Sequence, residues 1–154
     1  MTTAPTLTGQ DIAEAEGAVT ALLEATLVAT GFTTTTNEYA VLRVLAVRGP
    51  FPVAAELHAY LAGQRQLGID AAGAAELLTG MENKGFLTGS ALDQPDPVEL
   101  APEGRAELGR LMQTVAPITR PIFGGSNPED LATAHRVLAS VIERAGKLRN
   151  GQPL

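Results

Sequence analysis

Residues Phe86 to Leu100 are the one stretch of this chain that reads as paired strands; the sequence on either side reads as helix. Phe86-Leu87-Thr88-Gly89-Ser90 and Val98-Glu99-Leu100 are short candidate strands, and Asp93-Gln94-Pro95-Asp96-Pro97 between them is a turn-forming hairpin tip. Ahead of the hairpin, Asp70 caps a helix that reaches Lys84 and stops at Gly85. Gly73 and Gly80 lie inside it, each costing about 1 kcal/mol against alanine, so this helix depends on its packing.

Three helices precede that one. The first opens near Gly9-Gln10-Asp11, carries Ile12, Ala15, Val19, Leu22, Leu23 and Leu27 on one stripe, and ends at Gly31. Thr33 to Thr36 interrupt it and offer capping oxygens. The second runs from about Asn37 to Arg48 and is apolar on most faces, as a central buried helix is; Gly49-Pro50 stops it. Phe51-Pro52 starts the third, from Val53 to about Ala62, and Gly63 to Gly68 follow as a loop or short extension. After the hairpin, Leu108, Leu111, Met112, Val115, Ile118 and Ile122 form a fifth stripe, with Pro117 and Pro121 expected to kink or fragment its end. Gly124-Gly125-Ser126 breaks the chain, and Asn127-Pro128-Glu129-Asp130 starts a last helix with Leu131, Ala134, Leu138, Val141, Ile142, Ala145 and Leu148 along it.

Two helices joined by a short turn, the second followed by a hairpin, describe a winged helix-turn-helix. The fold class expected is mainly α, with a two-stranded wing and long N- and C-terminal dimerisation helices. The first, fifth and sixth helices carry more apolar surface than such a lobe needs, so they are expected to bury one another across a homodimer interface. Leu22, Leu111, Val115, Leu138, Val141 and Ile142 are the interface candidates. The corresponding division is 1–36, an N-terminal dimerisation helix; 37–101, the winged lobe; and 102–154, the C-terminal dimerisation helices.

Composition narrows the chemistry. The chain has 154 residues, 45% of them hydrophobic, enough for a globular core. It has no cysteine, which removes disulfides, thiol nucleophiles and cysteine redox sensing. His58 and His135 stand far apart and are a poor start for a metal site, so neither a metal nor a cofactor is expected. No apolar run is long enough for a membrane span, and Met1-Thr2-Thr3-Ala4-Pro5 lacks the pattern of a secretory signal, which points to the cytoplasm. No nucleophile–base pair or phosphate-cradling loop stands out, so an enzyme is the poorest reading. Nine of the eleven basic residues are arginine and alanine is abundant, a bias of GC-rich bacterial genomes.

Over nearly its whole length the chain resembles the multiple-antibiotic-resistance regulator (MarR) family. Asn37-Glu38-Tyr39-Ala40-Val41-Leu42-Arg43-Val44-Leu45 is similar to the family's second helix, and Ala55-Glu56-Leu57 to the start of its third. Leu67-Gly68-Ile69-Asp70 resembles the turn before the recognition helix, and Met81-Glu82-Asn83-Lys84-Gly85-Phe86-Leu87 that helix's ending. Leu100-Ala101-Pro102-Glu103-Gly104-Arg105 resembles the strand-to-helix junction, and Ile122 to Leu131 the last loop between helices. The resemblance implies a homodimer with recognition helices for adjacent major grooves of double-stranded DNA. It also implies a small-molecule pocket for a phenolic or other aromatic effector. Tyr39, Arg43 and His58 are the polar-tipped candidates for that pocket, Arg43 being able to pair a carboxylate bidentately.

Charge departs from the family pattern. Residues 49–100 carry two basic and seven acidic side chains, a net of −5, whereas residues 101–154 are net +2. Phosphate neutralisation supplies most non-specific DNA affinity, so a lobe this acidic should bind weakly. The candidate contacts are Gln64, Arg65 and Gln66 in the turn, Ala71, Ala72, Gly73 and Glu76 on the recognition helix, and Lys84 at its end. The wing, Gly89 to Val98, has no arginine. A solvated loop and a tightly packed small-residue helix are the plainer readings of the same positions. Two functions stay open: a ligand-responsive DNA-binding regulator, and a relative of the same fold that has weakened or lost DNA binding and acts through protein or ligand contacts.

Overall fold

The computed structural model describes residues 4–154; Met1, Thr2 and Thr3, which open the expected N-terminal domain and the stretch read for a secretory signal, lie outside the described residues. The elements are α1 (Gly9–Ala29), α2 (Thr36–Arg48), α3 (Ala54–Gly63), a 3₁₀ turn (Arg65–Leu67), α4 (Ala71–Asn83), β1 (Leu87–Thr88), β2 (Glu99–Leu100), α5 (Pro102–Gly124) and α6 (Pro128–Arg149). The strands pair antiparallel, Leu87 opposite Leu100 and Thr88 opposite Glu99. A mainly helical winged helix-turn-helix is therefore what the chain forms.

Local chemistry sets most of the helix ends. Thr8 and Thr35 each close a capping box, with Asp11 and Glu38 returning the bond to the cap's main chain. Asp70 accepts the Gly73 amide at 2.8 Å and so starts α4. Asn127 does the same for the Glu129 amide at 2.9 Å, ahead of Pro128 in the first turn of α6. Gly85 takes φ +78° immediately after α4, a conformation that favours glycine. Gly104 is required for a different reason: a Cβ there would lie 1.9 Å from the Phe86 main-chain oxygen. The first turn of α5 thus rests directly on the backbone leaving α4.

The chain divides into two compact units, residues 1–115 and 116–154. The first holds the core, where Leu42, Leu57, Leu61, Leu78, Met81, Leu87 and Leu111 are all but inaccessible. Tertiary packing of this kind is what sustains α4 despite its two glycines. The second unit comprises the end of α5 and all of α6, and no residue of α6 is buried.

Four expectations need correction. Phe51 does not begin α3; it bridges to Val98 through paired main-chain bonds of 2.9 and 2.8 Å, adding a third, one-residue rung beside the wing. The strands are two residues long where five and three were expected, because main-chain pairing stops once the chain turns toward the exposed tip. Of the two outcomes expected at Pro117 and Pro121, a kink or a fragmented end, fragmentation does not occur: α5 continues from Pro102 to Gly124. Leu111 and Val115, read as dimer contacts, belong to the protomer's own core: a helical stripe records that a face is buried, not what buries it.

Candidate nucleic-acid interface

The helix-turn-helix is α3, the 3₁₀ turn and α4. Leu57 and Leu61 of α3 face Ala74, Leu78 and Met81 of α4 in the buried core, which fixes the inner side of α4. The outer side follows from helical spacing: Ala71, Ala72, Glu76, Thr79 and Asn83 are exposed, while Gly73 is half-buried. The stripe presented to solvent is short-chained and carries one charge, an acid. Small side chains let a DNA backbone approach closely but supply little base readout.

In the turn, Arg65 and Gln66 are exposed, and the Gln66 amide donates to Gln64 Oε1 at 3.0 Å. These three residues lie in and beside the 3₁₀ turn, with Leu67 to Asp70 between them and α4. Lys84 is engaged elsewhere. Its Nζ sits 2.7 Å from Glu38 Oε1 of α2, and it also stands over the Phe86 ring. Glu38 is buried, whereas Lys84 remains partly exposed, so the ammonium is held against the lobe and is not extended toward a phosphate. The wing tip, from Leu92 to Pro97, is exposed.

No protein-family model and no curated protein matches the chain. Solved structures do. A MarR-family transcriptional regulator from Rhodococcus sp. RHA1 superposes with a TM-score of 0.66 at 18% identity, over 89% of this chain and 97% of that one. The Mycobacterium tuberculosis MarR-family protein Rv2887 in complex with DNA gives 0.60 at 22% identity, over 88% and 98%. The same mycobacterial protein in complex with salicylic acid gives 0.63 at 20%, over 90% and 99%. The chain has the MarR fold.

Within the MarR fold, the three effector candidates do not come together as a set. Tyr39 is buried, and the Arg43 guanidinium lies 5.7 Å from its ring centroid. Arg43 and Arg48 then flank a cleft of about 230 Å³ along α2, floored by Val44 and Val47. His58 is not part of it. Its Nε2 lies 2.8 Å from the Ser90 main-chain oxygen, and Ser90 in turn bonds Glu82 of α4 through both its amide and its hydroxyl. This chain ties α3, the wing and α4 together. Because the imidazole meets the carbonyl and not the hydroxyl, it does not activate Ser90 as a nucleophile.

A second groove of about 430 Å³ lies beside the N-terminus of α2, lined by Leu27, Val28, Phe32 and the threonines, with Glu24 its one charged lining residue. Sequence reasoning missed it, though four consecutive threonines were a visible signal. Of the interface candidates, Leu22, Leu138 and Val141 are each about two-fifths exposed, and Ile142 is 74% exposed. Among the described residues, no helix is long and apolar enough to cross a membrane, and no group of three or more His, Asp or Glu side chains could hold a metal ion.

Proposed function

We propose that this protein is a homodimeric, non-enzymatic transcriptional regulator of the cytoplasm, binding double-stranded DNA weakly through α4 and the preceding turn and released by a small aromatic effector. The observation that carries this reading is α4 itself. It is locked on its inner face, open on its outer face and followed by a wing, in a fold whose mycobacterial neighbour is in complex with DNA.

Dimerisation is supported by α6, which exposes Val137, Leu138, Val141, Ile142 and Leu148 without burying one residue. Burying a side chain of that size is worth roughly 1.5–3 kcal/mol, so several in one stripe favour a second copy strongly. The Arg43–Arg48 cleft is the site proposed for an aromatic carboxylate, since two arginines that could pair the charge and two valines that could meet the ring are among its lining residues. Titrating the purified full chain against DNA from upstream of its own gene, in low salt, tests the function. A discrete complex that excess random DNA does not compete away, and that salicylate dissolves, is expected.

One observation favours the other reading, a winged helix that has given up DNA. Lys84 is committed to Glu38, which leaves Arg65 as the only cation of residues 49–100 not in an ion pair among the described residues. No complex with any sequence in low salt would select it.

A further inference from the structure

Two consecutive residues in the first turn of α2 hold opposite ends of the recognition helix. The Asn37 Nδ2 donates to the Leu67 main-chain oxygen at 3.0 Å, in the 3₁₀ turn just before α4. Glu38 Oε1 receives Lys84 Nζ at 2.7 Å, at the C-cap of α4. The second oxygen of Glu38 is also used: Oε2 accepts the Thr35 amide at 2.8 Å and so closes the cap that starts α2. Between these ties α4 meets the lobe through Ala74, Leu78 and Met81, an apolar seam, and through Glu82, which Ser90 of the wing bonds; among the described residues no hydrogen bond from this span reaches α2.

We propose that Asn37 and Glu38 are positioning residues that set the register of α4, so that the start of α2, and with it the Thr33–Thr36 segment, governs how the recognition helix is presented. The proposal rests on the DNA-binding reading only for its consequence; the clamp itself is a property of the free protein. A charge-assisted bond to a buried carboxylate is among the stronger polar contacts a protein makes, and the Glu38 carboxylate is nine-tenths buried where it meets Lys84. One tie lies in the turn before α4 and the other at its C-cap, so losing either leaves α4 tied to α2 at one end only.

Glu38→Gln keeps an acceptor for Thr35 but breaks the pair with Lys84. Asn37→Asp keeps the size of the side chain but removes the donor to Leu67. In amide hydrogen exchange of the free full-length protein, each variant is expected to speed exchange roughly tenfold across residues 67–85, while Val41, Leu42 and Leu57 keep their protection. Lys84→Met should reproduce the Glu38→Gln effect, Lys84→Arg should preserve the native pattern, and the Glu38→Gln/Lys84→Met double variant should be no worse than either single one. In Lys84→Met, affinity for upstream DNA should fall by a similar factor. If Glu38→Gln does not fold, Lys84→Met, altered at a partly exposed position, carries the same test. Unchanged exchange over 67–85, or loss of protection spread evenly through the core, overturns the clamp. Faster exchange confined to α4 in a protein that binds no DNA leaves the clamp standing and overturns the regulator reading alone.

Discussion

Thr34, between α1 and α2, donates its hydroxyl to Glu107 Oε1 of α5 across 2.7 Å, and both residues are buried. The other carboxylate oxygen of Glu107 receives Arg110, whose guanidinium also reaches Glu103. The bond from Glu107, and secondarily that from Glu103, holds Arg110 above the ordinary arginine value. The contact joins residues 73 apart in sequence and ties the start of the lobe to its closing helix.

Thr34→Val removes the donor without changing the side chain's shape, leaving one oxygen of a buried carboxylate without its partner. Stability should fall by about 1–3 kcal/mol. Combining it with Glu107→Leu should cost less than the sum of the two changes, which a double-mutant cycle in denaturant checks.

Gly104→Ala should be more damaging than an alanine in a helix ordinarily is. Its Cβ would lie 1.9 Å from the Phe86 main-chain oxygen, which no rotamer change relieves. A loss of at least about 2 kcal/mol is expected, read as a melting temperature lower by roughly 5 °C or more.

Leu138 and Ile142 lie one turn apart on α6, and both are exposed in the protomer. Replacing both by aspartate should convert a dimer into a monomer in light scattering at micromolar concentration. The lobe's own core should survive, because neither residue belongs to it. A monomeric unmodified protein would contradict the dimer proposal.

At the start of α1, the Thr8 hydroxyl and then the Thr8 amide hold the Asp11 carboxyl below the ordinary aspartate value of about 3.9. A group with a lowered folded-state value stabilises above its unfolded value, and its contribution is lost as pH falls through the folded one. The first turn of α1 should therefore fray below about pH 4, whereas in Asp11→Asn it should already exchange faster at neutral pH; residue-resolved amide exchange reads both.

Helix ends were legible because their causes are local. Asp70 caps α4 and Gly85 ends it, and both bonds lie within a few residues. The Phe51–Val98 rung was not legible, since one residue in a bridge leaves no period to read. Lys84 was expected at DNA because its partner stands 46 positions away on α2, and no local pattern encodes that pairing. His58 was drawn to a pocket by its chemistry, although its partner is a main-chain oxygen 32 residues on. Leu111 and Ile142 fall on equally regular apolar stripes, yet one is in the core and the other faces solvent.

The most direct test of the account is the salt dependence of binding to upstream DNA. Each phosphate neutralised contributes about −0.9 to the slope of log affinity against log salt. With Lys84 held by Glu38, the two Arg65 side chains of a dimer should give a slope of about −2. Arg65→Ala should bring it close to zero, and Glu76→Gln should strengthen binding by removing an acid from the exposed face of α4. A slope near −8 that Arg65→Ala leaves unchanged would contradict the account, placing DNA on the arginines of the C-terminal helices and not on α4.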